Sequence, residues 1–575
     1  MNDNAGLFAQ KAAALEAALL SGRSFTALEA ELSPALCTQG LYTAFAEICD
    51  IHSRARVFRC TAGSLEAAWR GALAQAERTA ANEYAPLWVK AGVVRRSEYA
   101  QLADVNERLE NGKLRFFRRG ICFDGEMQRA VNEAEANCCG VYTYKKKRLE
   151  LTSVNRYLAA CSLPTLSALP ERVVLFDCMS VFCDEKCAVH TLYTDGACCG
   201  RRVCGQVSAD DVKRVISTSS DFLAMMEGLD GKFEYGFFPL SGNAIAGYNT
   251  VRHASAQWSL VCAARVTGDK FTLMQAKKAA EYMVSLLFCK YAPNPARENT
   301  AFLPDPTANE VKLGGSGIAI VALTELMALT GDYRYRQQAV ELGNGILELF
   351  DERDGSFFHV LRYPTLAPRD KFRTVYYDGE AVFGLCRLYA LTREQRWLDA
   401  AKQAVDRFIR EDYTQYRDHW VAYAVNELSK HLPEDKYLSF GLKNAAASLK
   451  SLYSRETIAH TSLELLCVTF ELYARIKEQG LECSYLTDFD EGLFIRTIYR
   501  RVWRMLDGYA YPELAMYFKE PAACVGAIVV RQGDFRIRID DIGHFCAAYC
   551  SFYRNFEKLE RLRAELGESA VQGLK

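Results

Sequence analysis

Four stretches of the chain repeat one pattern, and that repeat limits the possible folds more than any other feature. TGDKFTLMQAKKAAEYM from Thr267, TGDYRYRQQAVELGNGIL from Thr330, TREQRWLDAAKQAVDRFI from Thr392 and LPEDKYLSFGLKNAAASL from Leu432 each open in a short polar turn and continue as an amphipathic helix. Apolar residues recur at three- and four-residue spacing with Lys, Arg, Gln or Asp between them, the period of a helix with one wet face.

A more apolar helix precedes each of these, starting at Asn249, Gly314, Asp378 and Asp418, and two further segments, from His460 and Asp540, have the same character. With outer candidates at 209–229 and 487–506, the count becomes six inner and six outer helices. The pattern therefore predicts a mainly α chain whose C-terminal part, residues 209–560, is an (α/α)6 toroid. Two insertions, DGKFEYGFFP from Asp230 and DGSFFHVLRYP from Asp354, each place alternating aromatics after a D-G turn, as expected of short hairpins. Upstream, residues 1–90 are Ala-rich and read as helical. Residues 91–208 read as a Cys-rich mixed α/β region with a strand at RVVLFDCM, and 561–575 as a C-terminal tail.

Composition excludes several classes. With 70 basic against 71 acidic residues, 25% charged and 50% hydrophobic, the chain is neither a disordered tail protein nor one that binds by neutralising phosphates, so no nucleic-acid partner is expected. The basic run YKKKR from Tyr144 reads as a solvated surface. No stretch of about 18 apolar residues runs uninterrupted, so no membrane span is expected. The 21 cysteines include ten between Cys122 and Cys204, but none of these form C-x2-C pairs. Free buried thiols in a reducing, cytoplasmic protein are expected, with no metal and no cofactor.

In such a toroid the inner helices start around one end of the central funnel, and four of the eight histidines lie at these starts. Tyr248, Asn249, Arg252 and His253 come from the first start, and Gly314, Gly315, Ser316 and Gly317 from the second. Tyr377, Asp378 and Glu380 belong to the third, and Asp418, His419 and Trp420 to the fourth. His460 and Glu464 belong to the fifth, and Arg538, Asp540 and His544 to the sixth. Capping alone selects Asn249, Asp378, Asp418 and Asp540, and Thr461 with Glu464 fits a capping box. Two catalytic sets stay open. Glycosidic cleavage needs a carboxyl pair, Glu380 with Asp418 or Asp540. Epimerisation beside a carbonyl needs two bases, His253 with His419 or His544. Arg252 suits an anionic sugar substituent, and Tyr377 and Trp420 suit a sugar's apolar face. Tyr248, Asn249, Asp378, His460, Glu464 and Arg538 complete the expected substrate contacts. Asp540 and His544, four apart on one helix, also have metal-ligand spacing, a weaker reading than the two above.

The repeat, the TGD turns at Thr267 and Thr330, and the polar starts YNTVRHA, YYDGEA, RDHW and RIDDIGH resemble the six-hairpin glycosidase-like superfamily over 209–560. Glycoside hydrolases, glucuronyl hydrolases and N-acylglucosamine 2-epimerases belong to it. The resemblance implies a carbohydrate-active enzyme with a saccharide substrate, acting by acid/base chemistry. One alternative is a non-catalytic toroid that binds a glycan or a partner protein, with residues 1–208 offering the protein contact. Another is a toroid enzyme for a modified peptide or isoprenoid.

Overall fold

A computed structural model describes the chain except residues 1–2, 39, 83, 113–114, 144, 291–298 and 568–575. Tyr144, at the head of the basic run, and the last eight residues of the 561–575 segment lie outside the described residues. Two compact units emerge. One comprises residues 207–236, 244–506 and 537–575; the other comprises 1–206, 237–243 and 507–536.

The first of these is built from twelve principal helices: α1 (Ala209–Met225), α2 (Thr250–Thr267), α3 (Lys270–Ser285), α4 (Leu313–Thr330), α5 (Arg336–Glu348), α6 (Val375–Thr392), α7 (Gln395–Arg410), α8 (His419–Leu428), α9 (Asp435–Ala446), α10 (His460–Gln479), α11 (Glu491–Met505) and α12 (Ile539–Arg554). The even-numbered helices pack in the order α2, α4, α6, α8, α10, α12 and back to α2, a closed inner ring, and the odd-numbered ones pack outside it. This is the (α/α)6 toroid. The inner helices are buried on nearly every face. By length and composition α4 is apolar enough to cross a bilayer, yet it is an inner helix with 78% of its length buried in the protein.

The recurring polar turn has a local cause. Gly268 and Gly331 end α2 and α4 in the left-handed conformation, with φ of 73° and 71°, where a Cβ is costly. The preceding threonine hydroxyl then accepts the N–H two residues on: Asp269 N to Thr267 Oγ1 at 3.2 Å and Asp332 N to Thr330 Oγ1 at 3.3 Å. Asp269 Oδ2 in turn accepts Thr272 N at 2.6 Å and caps α3. In the third repeat Arg393 occupies the glycine position at φ 63°.

The insertion after α5 is a hairpin pairing Phe350–Asp351 with Ser356–Phe357, and its continuation Val360–Arg362 joins a four-stranded antiparallel sheet with Pro304–Asp305, Glu310–Lys312 and Pro368–Asp370. The insertion after α1 is a single bridge, Glu227 to Phe233, followed by a short strand from Gly236, with residues 237–243 grouped in the other unit.

The second unit is organised on a seven-stranded antiparallel sheet: β1 (Tyr42–Cys49), β2 (Arg56–Ala62), β3 (Trp88–Gln101), β4 (Gly120–Cys122), β5 (Ala130–Val131), β6 (Arg172–Cys183) and β7 (Val189–Thr191). The order is β2-β1-β3-β6-β4-β5, with β7 also on β6. The expected strand at RVVLFDCM is β6. Residues 1–90, read as helical, are instead helices Asp3–Leu20, Phe25–Leu32 and Leu65–Asn82 around β1 and β2. Every residue of β1 is buried, so its apolar run lacks the alternation that marks a half-wet strand.

Behind this sheet lies a charged cluster. Lys90 Nζ donates to Tyr517 Oη at 2.7 Å and sits 3.3 Å from Glu47 Oε1, while Tyr517 donates to Glu47. Burial pushes the Glu47 carboxyl up to about 7 even beside Lys90. Arg202 pairs with Glu513 at 2.6 Å and Arg201 with Asp507 at 3.2 Å, so residues 507–536 complete this unit. The cysteines are free thiols, and burial raises Cys122 and Cys138 to about 12, which keeps them protonated.

Candidate active site

First-turn residues touch all round the inner ring, so the six helix starts meet at one end. Between α2 and α12, Arg252 Nε lies 3.0 Å from Asp540 Oδ2. Between α12 and α10, His544 Nδ1 is 2.7 Å from Glu464 Oε2 and His460 Nε2 is 3.1 Å from Asp541 Oδ1. Between α10 and α8, Tyr423 Oη donates to Glu464 Oε1 at 3.3 Å. Between α8 and α6, the rings of His419 and Tyr376 lie 6.0 Å apart. Glu380 of α6 fills the space a Cβ of Gly314 on α4 would take, and a Cβ on Gly315 would reach Val251 of α2 at 3.7 Å.

The glycines of α4 therefore serve this packing. Gly314 admits the Glu380 and Tyr377 side chains, and Gly317 lets α6 pack backbone to backbone.

At the centre, His419 and His544 face each other with ring centroids 5.2 Å apart, nearly perpendicular at 77°. Glu464, 0% exposed, lies between them, with Oε2 3.9 Å from His419 Nε2. His419 Nδ1 is 3.2 Å from Asp418 Oδ1 without forming a hydrogen bond to it, and its Nε2 is buried with no hydrogen-bond partner among the described residues. For His544, burial by itself would disfavour the charged ring. The charge and hydrogen bond of Glu464, with Asp540 and Asp541 nearby, outweigh it and hold the imidazole above its ordinary range. Trp420 packs beneath the pair, 4.7 Å from His419 and 5.9 Å from His544 between ring centroids, and Tyr376 is half-exposed beside them.

Three carboxylates serve other ends than capping. Glu464 belongs to no capping box, because the residue before α10 is Ala459 in the left-handed conformation with no side-chain cap. Asp378 lies inside α6, where it accepts from Tyr413 Oη at 3.1 Å and sits 3.0 Å from His359 Nε2. It is fully buried and anchors the hairpin carrying His359. Asp540 also lies within its helix, held by Arg252 and by Arg538 at 3.0 Å, whose Nε also reaches Asp541 at 3.1 Å. Asn249 and Asp418 do cap, accepting from Val251 and Val421 backbone N–H at 3.0 Å each.

His253 does not join the cluster. Its Nδ1 is 2.6 Å from Tyr248 Oη and its Nε2 2.9 Å from Ala279 O of α3, and it packs on Phe233 and Tyr282. Both nitrogens are committed, and burial lowers its pKa to about 4. Tyr248, Asn249 and His253 are thus an outer-wall anchor. Glu380 is buried with Oε2 unpartnered, and burial, then the Asp418 charge, push it well above the carboxylate range.

The structure adds groups that helix starts alone do not reveal. Tyr235 from the first insertion hydrogen-bonds Arg252, and Tyr423 reaches Glu464 from one turn into α8. The offset of four between His419 and Tyr423, one helical turn, was the available signal for the second.

No protein-family model and no curated protein matches the sequence. Among solved structures, the chain is similar to cellobiose 2-epimerase from Spirochaeta thermophila at 14% identity, covering 62% of this chain and 98% of that one, with a TM-score of 0.45. It is also similar to a D-mannose isomerase at 11% identity, covering 61% and 99% with a TM-score of 0.43. An unsaturated glucuronyl hydrolase specific for heparin aligns at 12% identity, covering 61% and 99%, also at 0.43.

Proposed function

We propose that the toroid is a carbohydrate-active enzyme that exchanges the proton on a sugar carbon beside a carbonyl, as an epimerase or aldose–ketose isomerase. The observation that carries this reading is the facing pair His419 and His544, oriented by Asp418 and Glu464 respectively. One imidazole takes the proton from carbon, and the electron pair moves to the carbonyl oxygen as an enediolate. A proton returned by the other imidazole to the opposite face of the same carbon completes epimerisation; a proton returned to the former carbonyl carbon, with the neighbouring hydroxyl proton passing to the enediolate oxygen, completes isomerisation. Glu464 holds His544 toward its protonated form, while His419 Nε2 is buried with no hydrogen-bond partner among the described residues and so is open to a substrate proton. Tyr376, half-exposed beside His419, supplies flat apolar surface for a sugar ring, with the buried Trp420 packed behind the histidines.

The test is incubation with neutral aldoses, ketoses, disaccharides and acetamido sugars in deuterated water. Deuterium enters the carbon beside the carbonyl, and His419→Gln or His544→Gln slows the exchange by roughly 10²–10⁴ while the helical signal persists. Absence of exchange across the panel rejects the reading.

Glycosidic cleavage is the second reading, favoured by Glu380, a buried carboxyl that stays protonated with Asp418 as its nearby charge. It predicts release of reducing ends that Glu380→Gln abolishes.

A further inference from the structure

The histidine pair and Glu464 have a second capacity that proton exchange does not use. His419 Nε2, Glu464 Oε2 and His544 Nδ1 all lie within 4.8 Å of one another. The carboxylate oxygen is 2.7 Å from one nitrogen and 3.9 Å from the other. A tetrahedral zinc ion with bonds of about 2.0–2.1 Å needs donor atoms about 3.3 Å apart. Those two separations straddle that value and the third, between the two imidazole nitrogens, is at most 4.8 Å, so rotations moving each nitrogen by up to about 0.8 Å would bring all three to bonding distance.

Three observations point to a ligand here. His419 Nε2 is a buried nitrogen with no hydrogen-bond partner, directed into the cluster. The other nitrogen of the same ring lies 3.2 Å from Asp418 Oδ1, short of a hydrogen bond in this arrangement but placed so that a small ring rotation makes one and steadies a ligating imidazole. The second oxygen of Glu464 accepts from Tyr423, which keeps Oε2 aimed between the rings. Two imidazoles and one carboxylate suit zinc or cobalt and are a poor match for calcium or magnesium, which prefer all-oxygen shells. Three protein donors leave a fourth position for water or a sugar oxygen.

We infer that His419, Glu464 and His544 form a site for one divalent transition ion of the zinc class, backed by Asp418 and Tyr423. Binding expels the proton shared by His544 and Glu464 and occupies the lone pair of His419 Nε2. Both imidazoles are then unavailable for proton transfer. The ion therefore acts as a reversible inhibitor, a consequence that rests on the function proposed above, whereas the binding itself does not.

The experiment uses the full chain, freed of metal by a chelator and titrated with Co2+. One equivalent binds and gives the weak visible bands of a nitrogen and oxygen site, without the intense near-ultraviolet thiolate bands that any of the 21 cysteines would add. The double variant His419→Gln/His544→Gln loses that equivalent. Asp418→Asn, which retains a capping side chain, keeps the stoichiometry and weakens binding roughly tenfold. Circular dichroism checks that each variant is folded. Absence of binding, thiolate bands, or unchanged affinity in the folded double variant overturns the site. Zn2+ is then added to metal-free protein showing deuterium exchange: loss of exchange, restored by chelator, is expected, and stimulation overturns the inhibitory role. If Co2+ binds as described but metal-free protein exchanges no deuterium, the site stands and the epimerase reading falls.

Discussion

Residue by residue, the helix starts divide their histidines between two jobs, and the difference lies in what each ring nitrogen meets. His419 and His544 each place one nitrogen against a carboxylate and keep the other uncommitted among the described residues, whereas both nitrogens of His253 are taken by Tyr248 and Ala279. The cost of that commitment is measurable. Burial pushes the folded His253 imidazole down to about 4, below its ordinary value of about 6.5, so between these limits the unfolded chain binds more protons than the native one. Its contribution to stability is complete above about pH 6.5 and is lost as pH falls toward 4, on the order of 3 kcal/mol in all. Denaturant unfolding at pH 7 and pH 4.5 should show His253→Gln losing less stability on acidification than the parent. An identical loss in both would show that this ring does not stay neutral. Because His253 lies outside the histidine pair, the folded variant should also retain deuterium exchange to within a few-fold.

Among the elements, the inner ring depends on how closely α4 and α6 approach. Gly317 and Gly384 face one another, and a Cβ on Gly384 would meet Gly317 O at 2.8 Å; a Cβ on Gly317 would overlap the backbone carbonyl of Glu380. That atom cannot swing aside as a side chain would. Gly317→Ala should therefore push the two helices apart and cost about 1–3 kcal/mol, despite the better helix propensity of alanine. Thermal unfolding reads this as a lowered midpoint. Exchange activity should fall as well, because Glu380 and the start of α6 move with the helix. A variant as stable as the parent would refute the close-contact account. The polar turns work in the opposite sense: in the first three repeats a threonine hydroxyl and a left-handed residue close the turn through contacts between near neighbours in sequence.

Across the whole molecule, chain order and spatial grouping diverge. The sheet unit ends at residue 206 in its first segment, yet Tyr517, Glu513 and Asp507, more than 300 residues on, are the partners of Lys90, Arg202 and Arg201. Residues 1–206 expressed alone leave Arg201 and Arg202 without Asp507 and Glu513, and Lys90 without Tyr517, and an unpaired buried charge costs several kcal/mol. The fragment should show no cooperative unfolding transition, and adding a peptide of residues 507–536 should restore one; a fragment that melts cooperatively by itself would contradict this account. The same divergence explains what could be read in advance. The twelve helices and their alternation were legible because a 3.6-residue period and a turn motif are properties of neighbouring residues, and a ring follows once six such pairs are counted. The gathering of His419, His544 and Glu464 near one point was inferable from their shared place at helix starts, but the exclusion of His253 was not. One residue's shift around a helix turns a side chain by about 100°, from the funnel to the outer wall, and only packing fixes that rotation. Nor could Asp378 and Glu464 be told from caps, because a cap and a buried acceptor use the same residue type a few positions apart. Local periodicity thus determined the elements and their number. Tertiary packing decided which polar groups share a site, because their contacts join helices far apart in sequence, and no single helix carries the constraint.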